Sequence, residues 1–158
     1  MVFDVENYEK ECKKIRTENA ELLELFETDL DGLSEKTIQR HLRNVDFYIN
    51  TYLLREGALS FKDGIEYIDS YLGDFFIRRC MWSTPGSIKS TAASIKKFYK
   101  CMLDHKKIEK DQYKLLCETI KENMEQWRFD CEMYNDPGAV NPFAFFQKAK
   151  EKAMWKQE

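Results

Sequence analysis

The sequence predicts an all-α protein: a bundle of four to five helices with helical extensions at its N- and C-terminal ends. Three observations carry this reading. Six Gly and three Pro in 158 residues are too few for the turns of an all-β chain. Apolar residues recur three and four apart along most of the chain, the repeat of one helix face. Aromatic residues reach 14%, enough to furnish a core and too many for a disordered segment. This length suits one main domain. We assign it to residues 1–128 and assign 129–158 to a linker and a C-terminal helical extension.

Residues 4–28 read as a charged helix with Ile15, Leu22, Leu23 and Phe26 on its inner side, ended by the turn Asp29-Leu30-Asp31-Gly32. Ser34 is a good N-cap for a second helix running to about Arg55. Its apolar face is Ile38, Leu42, Val45, Ile49 and Tyr52, and Gly57 closes it. Ser60 is read as the cap of a third helix carrying Ile65, Ile68, Tyr71 and Leu72, bent or broken at Gly73. The loop Trp82-Ser83-Thr84-Pro85-Gly86 is the clearest interior punctuation. A fourth helix, Ser87 to Asp104, turns Ile88, Ala92, Ile95, Phe98, Tyr99 and Met102 inward. A fifth, from Lys110 to about Arg128, buries Tyr113, Leu116, Ile120, Met124 and Trp127, and a sixth begins at Asn141-Pro142. The core is expected to close around Ile38, Leu42, Val45, Ile49, Ile95, Phe98, Tyr99, Leu116 and Ile120.

Charge is distributed unevenly. Between Arg78 and Lys107 lie eight Lys/Arg and one acid, a local balance of +7 in a chain whose net charge is −3. Residues 1–33 hold four bases and ten acids. On a helical wheel Lys89, Lys96, Lys97 and Lys100 of the fourth helix fall within an arc of about 100°. Lys36, Arg40 and Arg43 form a second stripe opposite the apolar face of the second helix. A charged helix face is ordinarily just the solvated side. Here the fourth-helix stripe has no interleaved acids, and a second stripe accompanies it. Ser83, Thr84, Ser87 and Ser90 are read as exposed hydroxyls able to bond phosphate oxygens.

Catalytic signatures are missing. The chain has no G-x-x-x-x-G-K-[ST], G-x-G-x-x-G, H-E-x-x-H or G-x-S-x-G. Cys101 and His105 lie four apart on one helix face, but two ligands make no zinc site and no orienting third group is visible in the sequence. His41 points to the apolar side of its helix and reads as a packed, hydrogen-bonded histidine. No cofactor, metal or catalytic residue is expected. The five cysteines, Cys12, Cys80, Cys101, Cys117 and Cys131, contain no C-x-x-C pair and read as free, mostly buried thiols. No apolar run approaches the roughly 18 residues of a membrane span, and the start lacks a signal-peptide core, so the expectation is a cytoplasmic protein without membrane contact.

Two segments, GLSEKTIQRHLRNVDFYINTYL (Gly32 to Leu53) and STPGSIKSTAASIKKFYKCMLDHKKI (Ser83 to Ile108), are separated by one short helix. Together they resemble the SAM-like core-binding domain of tyrosine recombinases, the phage integrase superfamily. The likeness lies in the S-x-x-T helix start at Ser34 and Thr37, the short third helix, and the hydrophobic helix of Ile95, Phe98, Tyr99, Met102 and Leu103. It spans about residues 20–125 through diffuse helical patterns.

The resemblance implies a small orthogonal helical bundle that clamps duplex DNA with its second and fourth helices. Carried over by position, the contacts are Lys36, Thr37, Arg40 and Arg43 on one helix, and Ser87, Lys89, Ser90, Lys96, Lys97 and Lys100 on the other. The family's catalytic half carries a tyrosine nucleophile and an H-x-x-R pair; neither His41 nor His105 begins such a pair, and only residues 129–158 follow the fifth helix. The expectation is therefore a non-catalytic DNA-binding module of recombination or integration, with a separate recombinase or catalytic subunit as a possible partner. The rival expectation is a protein-interaction module that kept the fold without binding DNA, using Phe143, Phe145, Phe146 and Trp155.

Overall fold

A computed structural model describes residues 4–136 of the chain. They fold into an all-α bundle of five main helices, with no strand among the described residues. Helix α1 is Val5–Asp29, α4 is Pro85–Asp104 and α5 is Lys110–Asn135. Helix α2 (35–56) is built from Glu35–Asp46, a π-helical turn Phe47–Tyr52 and Leu53–Glu56. Helix α3 (68–79) likewise joins Ile68–Ser70, a π-helical turn Tyr71–Phe75 and Phe76–Arg79.

Local chemistry sets the helix starts. Asp4 caps α1 by accepting from the Asn7 N–H, and Ser34 caps α2 by accepting from the Thr37 N–H at 3.2 Å. Thr84 caps α4 with Ser87 in a reciprocal capping box, and Pro85 occupies the first turn, where its missing N–H costs nothing. That helix therefore starts two residues earlier than expected. Ser60 does not open α3; its N–H donates to Asp63 Oδ2 at 2.9 Å and steadies only the 3₁₀ turn Asp63–Ile65. Helix α5 passes Arg128 without interruption and ends seven residues later, at Asn135. The sixth helix expected at Asn141-Pro142, and Phe143, Phe145, Phe146 and Trp155, lie outside the described residues.

Helix α4 is the central element, packed along α5 and across α2 and α1. All six of its expected inward residues are buried, and Phe98 meets Phe26 of α1 edge-on with ring centroids 5.4 Å apart. Helix α1 is no pendant extension: Leu22 and Phe26, with Leu30 just beyond, join the main core, while Cys12 and Ile15 form a smaller cluster with Leu54. Val45, Ile49, Ile95, Tyr99, Leu116 and Ile120 are buried as expected. Ile38 and Leu42 are only half-buried, because the first turns of α2 lie at the rim of the bundle.

The two π turns face each other. Tyr71 lies 4.7 Å from Tyr48 and 4.8 Å from Tyr52 between ring centroids, and Phe75 lies 4.9 Å from Tyr52. A π turn places one more residue per turn than an α turn. It rotates the later part of α2 so that Tyr52, Leu53 and Leu54 are all buried. Gly73 does not break α3. It sits inside the π turn because Trp127 of α5 crosses it, donating from Nε1 to Asp69 Oδ1 at 2.7 Å. A Cβ on Gly73 would lie 2.7 Å from that Nε1.

Candidate nucleic-acid interface

The second and fourth helices meet through a small polar contact. Ser94 Oγ of α4 lies 2.7 Å from His41 Nδ1 and 3.0 Å from Asn44 Nδ2, both on α2, and within 3.2 Å of the Ser90 carbonyl. His41 and Ser94 are both buried, so this hydroxyl and imidazole satisfy each other where water cannot. Burial holds the His41 pKa below its ordinary value of 6.5, and the positive charges of Arg40 and Lys97 push it the same way. Arg40 belongs to α2 and Lys97 to α4, so the two basic stripes converge on one histidine.

The helical repeat fixes what lies on either side of that contact. On α2, Lys36, Arg40 and Arg43 occupy the sector just beyond Asn44, away from the core; on α4, Lys97 flanks Ser94 on its solvent side. Both stripes therefore emerge on the same outer side of the α2–α4 seam. The exposed arc of α4 continues from Lys97 across Ala93 to Lys100, Lys89 and Lys96. Lys36, Arg40, Arg43, Lys89, Lys96 and Lys97 are exposed and form no ion pair among the described residues. Lys100 differs: its Nζ is 3.0 Å from Asp104 Oδ1 and 5.9 Å from the Tyr113 ring centroid.

Of the other cations in the basic block, exposed Arg79 lies at the end of α3, away from α4, and the other three have acidic neighbours of their own. Arg78 binds both carboxylate oxygens of Asp74, at 2.7 and 2.8 Å. Lys106 and Lys107 line a cleft of about 380 Å³ together with Lys62 and the acids Glu18 and Glu21. The +7 of the linear block thus contracts to the α4 lysines, and α2 supplies the rest of the face.

The hydroxyls are less available than the sequence suggests. Ser83, expected to be exposed, is buried and donates to the Ile77 carbonyl at 3.2 Å. Ser87 is half-buried, and its Oγ closes the α4 capping box. Thr37 is half-buried and accepts from Ser34 Oγ at 2.9 Å, while Ser90 is half-buried on the α4 edge nearest α2.

An aromatic cleft adjoins the face. Arg43, Asn44, Phe47, Tyr71, Phe76 and Trp82 line about 320 Å³. Trp82 is 55% exposed and packs edge-on against Phe47 at 5.5 Å, next to a fully exposed Met81. This cleft has little signature in the sequence beyond a tryptophan placed in a loop.

The fold also gives Cys101 and His105 the third group that the sequence did not reveal. Asp29, at the end of α1, lies 3.0 Å from His105 Nε2 through Oδ2, and a carboxylate oxygen lies within 4.8 Å of the Cys101 sulfur. Burial, then the Asp29 hydrogen bond and charge, push the Cys101 pKa up to about 12. A thiol held in its protonated form is a poor nucleophile, so this trio does not have the electrostatics of a cysteine catalytic centre.

No helix among the described residues is long and apolar enough to cross a membrane. No protein-family model, curated protein or solved structure matches this chain.

Proposed function

We propose that this protein is a non-catalytic DNA-binding module, related to the core-binding half of tyrosine recombinases and acting in DNA recombination or integration or in its regulation. The observation that carries the reading is the approach of Arg40 of α2 and Lys97 of α4 to His41 at the α2–α4 contact, beside two stripes of exposed cations of which only Lys100 is ion-paired among the described residues. Each lysine or arginine that neutralises a phosphate releases condensed counterions, so such a face gains affinity without base-specific contacts. The seam offers no Asn, Gln or Arg constellation on a groove edge, and sequence preference is accordingly expected to be weak.

The direct test is fluorescence anisotropy with a random duplex from about 20 mM salt, where the Debye length is about 20 Å. Binding that weakens steeply with salt, with no nicking and no covalent attachment, supports the proposal. No binding at that salt removes it. A second reading has its own support: exposed Met81 and Trp82 beside the aromatic cleft would suit a protein partner, such as a separate catalytic subunit. Aromatic docking would give a shallow salt dependence.

A further inference from the structure

We propose that Asp29, Cys101 and His105 form a binding site for a divalent transition metal, with Zn²⁺ as the ion its donors fit best. One ligand atom from each residue lies within 4.8 Å of the other two. Bonds of about 2.0–2.3 Å in a tetrahedral shell put ligand atoms roughly 3.3–3.8 Å apart. Closing the widest separation by about 1 Å and widening the 3.0 Å Asp29–His105 pair by a few tenths of an ångström therefore completes the triangle, and the two ligands that must move most freely, Asp29 and His105, are more than a third exposed at their side chains.

The donor chemistry is selective. A thiolate, an imidazole nitrogen and one carboxylate oxygen suit Zn²⁺ and poorly suit Mg²⁺ or Ca²⁺, which want oxygen shells. Three protein ligands leave the fourth position to water on the solvent side, where Asp29 and His105 are exposed.

A second observation is independent of the side chains. Asp29 is the last residue of α1, and Cys101 and His105 span the last turn and C-cap of α4. Two helix C-termini thus converge on the site, and the negative ends of their dipoles favour a cation. Asp104 adds negative charge near Cys101, though it is bonded to Lys100. Exposed Lys106 and Lys107 just beyond His105 oppose a cation and limit the affinity.

Asp29 already bonds His105, and the Cys101 sulfur lies within 4.8 Å of both, so the ligands are largely preassembled. On binding, the Cys101 sulfur exchanges its proton for the metal, and that proton leaves to solvent. The Asp29 carboxylate contributes a lone pair directly, whereas the Nε2 proton of His105 that bonds Asp29 must move to Nδ1 or leave to solvent before Nε2 can bind the ion. The ion would tie α1 to α4 across a sequence separation of 76 residues. It would stabilise the end of α4 whose outer face carries the lysines; the inference does not rest on DNA binding.

The test uses the full chain, reduced and stripped with a chelator, titrated with Co²⁺ alone. The expected result is a near-ultraviolet thiolate-to-cobalt band with visible bands of a tetrahedral set, saturating at one equivalent and displaced by Zn²⁺. His105→Ala and Asp29→Asn, both at exposed positions, should weaken binding tenfold or more. Cys101→Ser should abolish the thiolate band, while Cys117→Ser should leave it intact. Absence of a thiolate band in excess cobalt, or an unchanged band and affinity in His105→Ala, overturns the proposal even if Cys101→Ser fails to fold.

Discussion

Reversing Lys89, Lys96 and Lys97 together to Glu is the perturbation that bears most directly on the α2–α4 face. These three lysines are exposed, carry no ion pair among the described residues, and point away from the core. Lys100 is left untouched because its pairing with Asp104 already offsets part of its charge. Each phosphate contact contributes about 0.9 to the slope of log affinity against log salt, so losing three lowers the slope by up to about 2.7. Over a fourfold change in salt that difference amounts to roughly 40-fold in affinity. Each swap changes the net charge by two, so the variant falls from −3 to −9, and bulk repulsion must be separated from lost contacts. Lys10, Lys13 and Lys14 on the exposed side of α1 serve as the control, since reversing them also gives −9. Anisotropy titrations at several salt concentrations, with circular dichroism to verify folding, measure both variants. The α4 variant should lose binding and salt slope, and the α1 variant should keep most of its slope. Equal losses in the two would show that net charge, not this face, governs any affinity, and would refute the argument.

Phe98→Ala should cost about 3–5 kcal/mol in urea unfolding, since the ring is fully buried against Phe26 and Phe61; a loss below about 1 kcal/mol would contradict the α4 register. Gly73→Ala should destabilise by about 1–3 kcal/mol and disturb Trp127 fluorescence, because the added methyl enters the space of the indole Nε1 bonded to Asp69. His41 should make stability fall in acid. Its folded pKa lies below 6.5, so the unfolded chain binds the proton first, and the contribution is complete above 6.5 and lost as pH falls through that value toward the folded pKa. Unfolding free energies of wild type and His41→Gln between pH 5 and 8 would check this, with the variant expected to show the smaller slope.

Helix α4 was legible because every turn of it obeys one rule. Its wide inward arc is apolar but for Thr91 and Ser94, its lysines all lie in the complementary arc, and Thr84-Pro85 marks its start. In helix α2 the extent to about Arg55, the Gly57 stop and the inward Ile49 and Tyr52 were legible, but the π turn was not. A π turn has no local sequence signature; it arises because Phe47, Tyr48 and Tyr52 reach a better aromatic arrangement against Tyr71 and Phe75 than α geometry would allow. A strict 3.6 repeat continued through that turn does not anticipate Leu53 and Leu54 side by side in the interior. Gly73 was misread for a similar reason, since the pressure on it comes from Trp127, 54 positions away and on another helix. Asp29 could not be linked to Cys101 and His105 from spacing at all. Wheels order residues within a helix and leave its neighbours unknown.

Charge shows the same division between what a chain adds up to and what a fold brings together. A net charge of −3 argues against binding a polyanion, yet the excess acid is concentrated in residues 1–33. Two of those acids, Glu18 and Glu21, line the same cleft as Lys62, Lys106 and Lys107, where opposite charges face each other. Their compensation is local, and at physiological salt, with a Debye length of about 8 Å, little of the α1 field extends beyond that neighbourhood. Apart from Asp104, which bonds Lys100, the stripes of α2 and α4 form no ion pair with an acid among the described residues. Between them sits His41, whose proton affinity falls first because burial removes water and then because Arg40 and Lys97 add positive charge from two helices. An imidazole placed there senses a positive local field in a molecule that is negative overall. That local sign, and not the isoelectric point, is what a phosphate arriving at the α2–α4 seam would encounter.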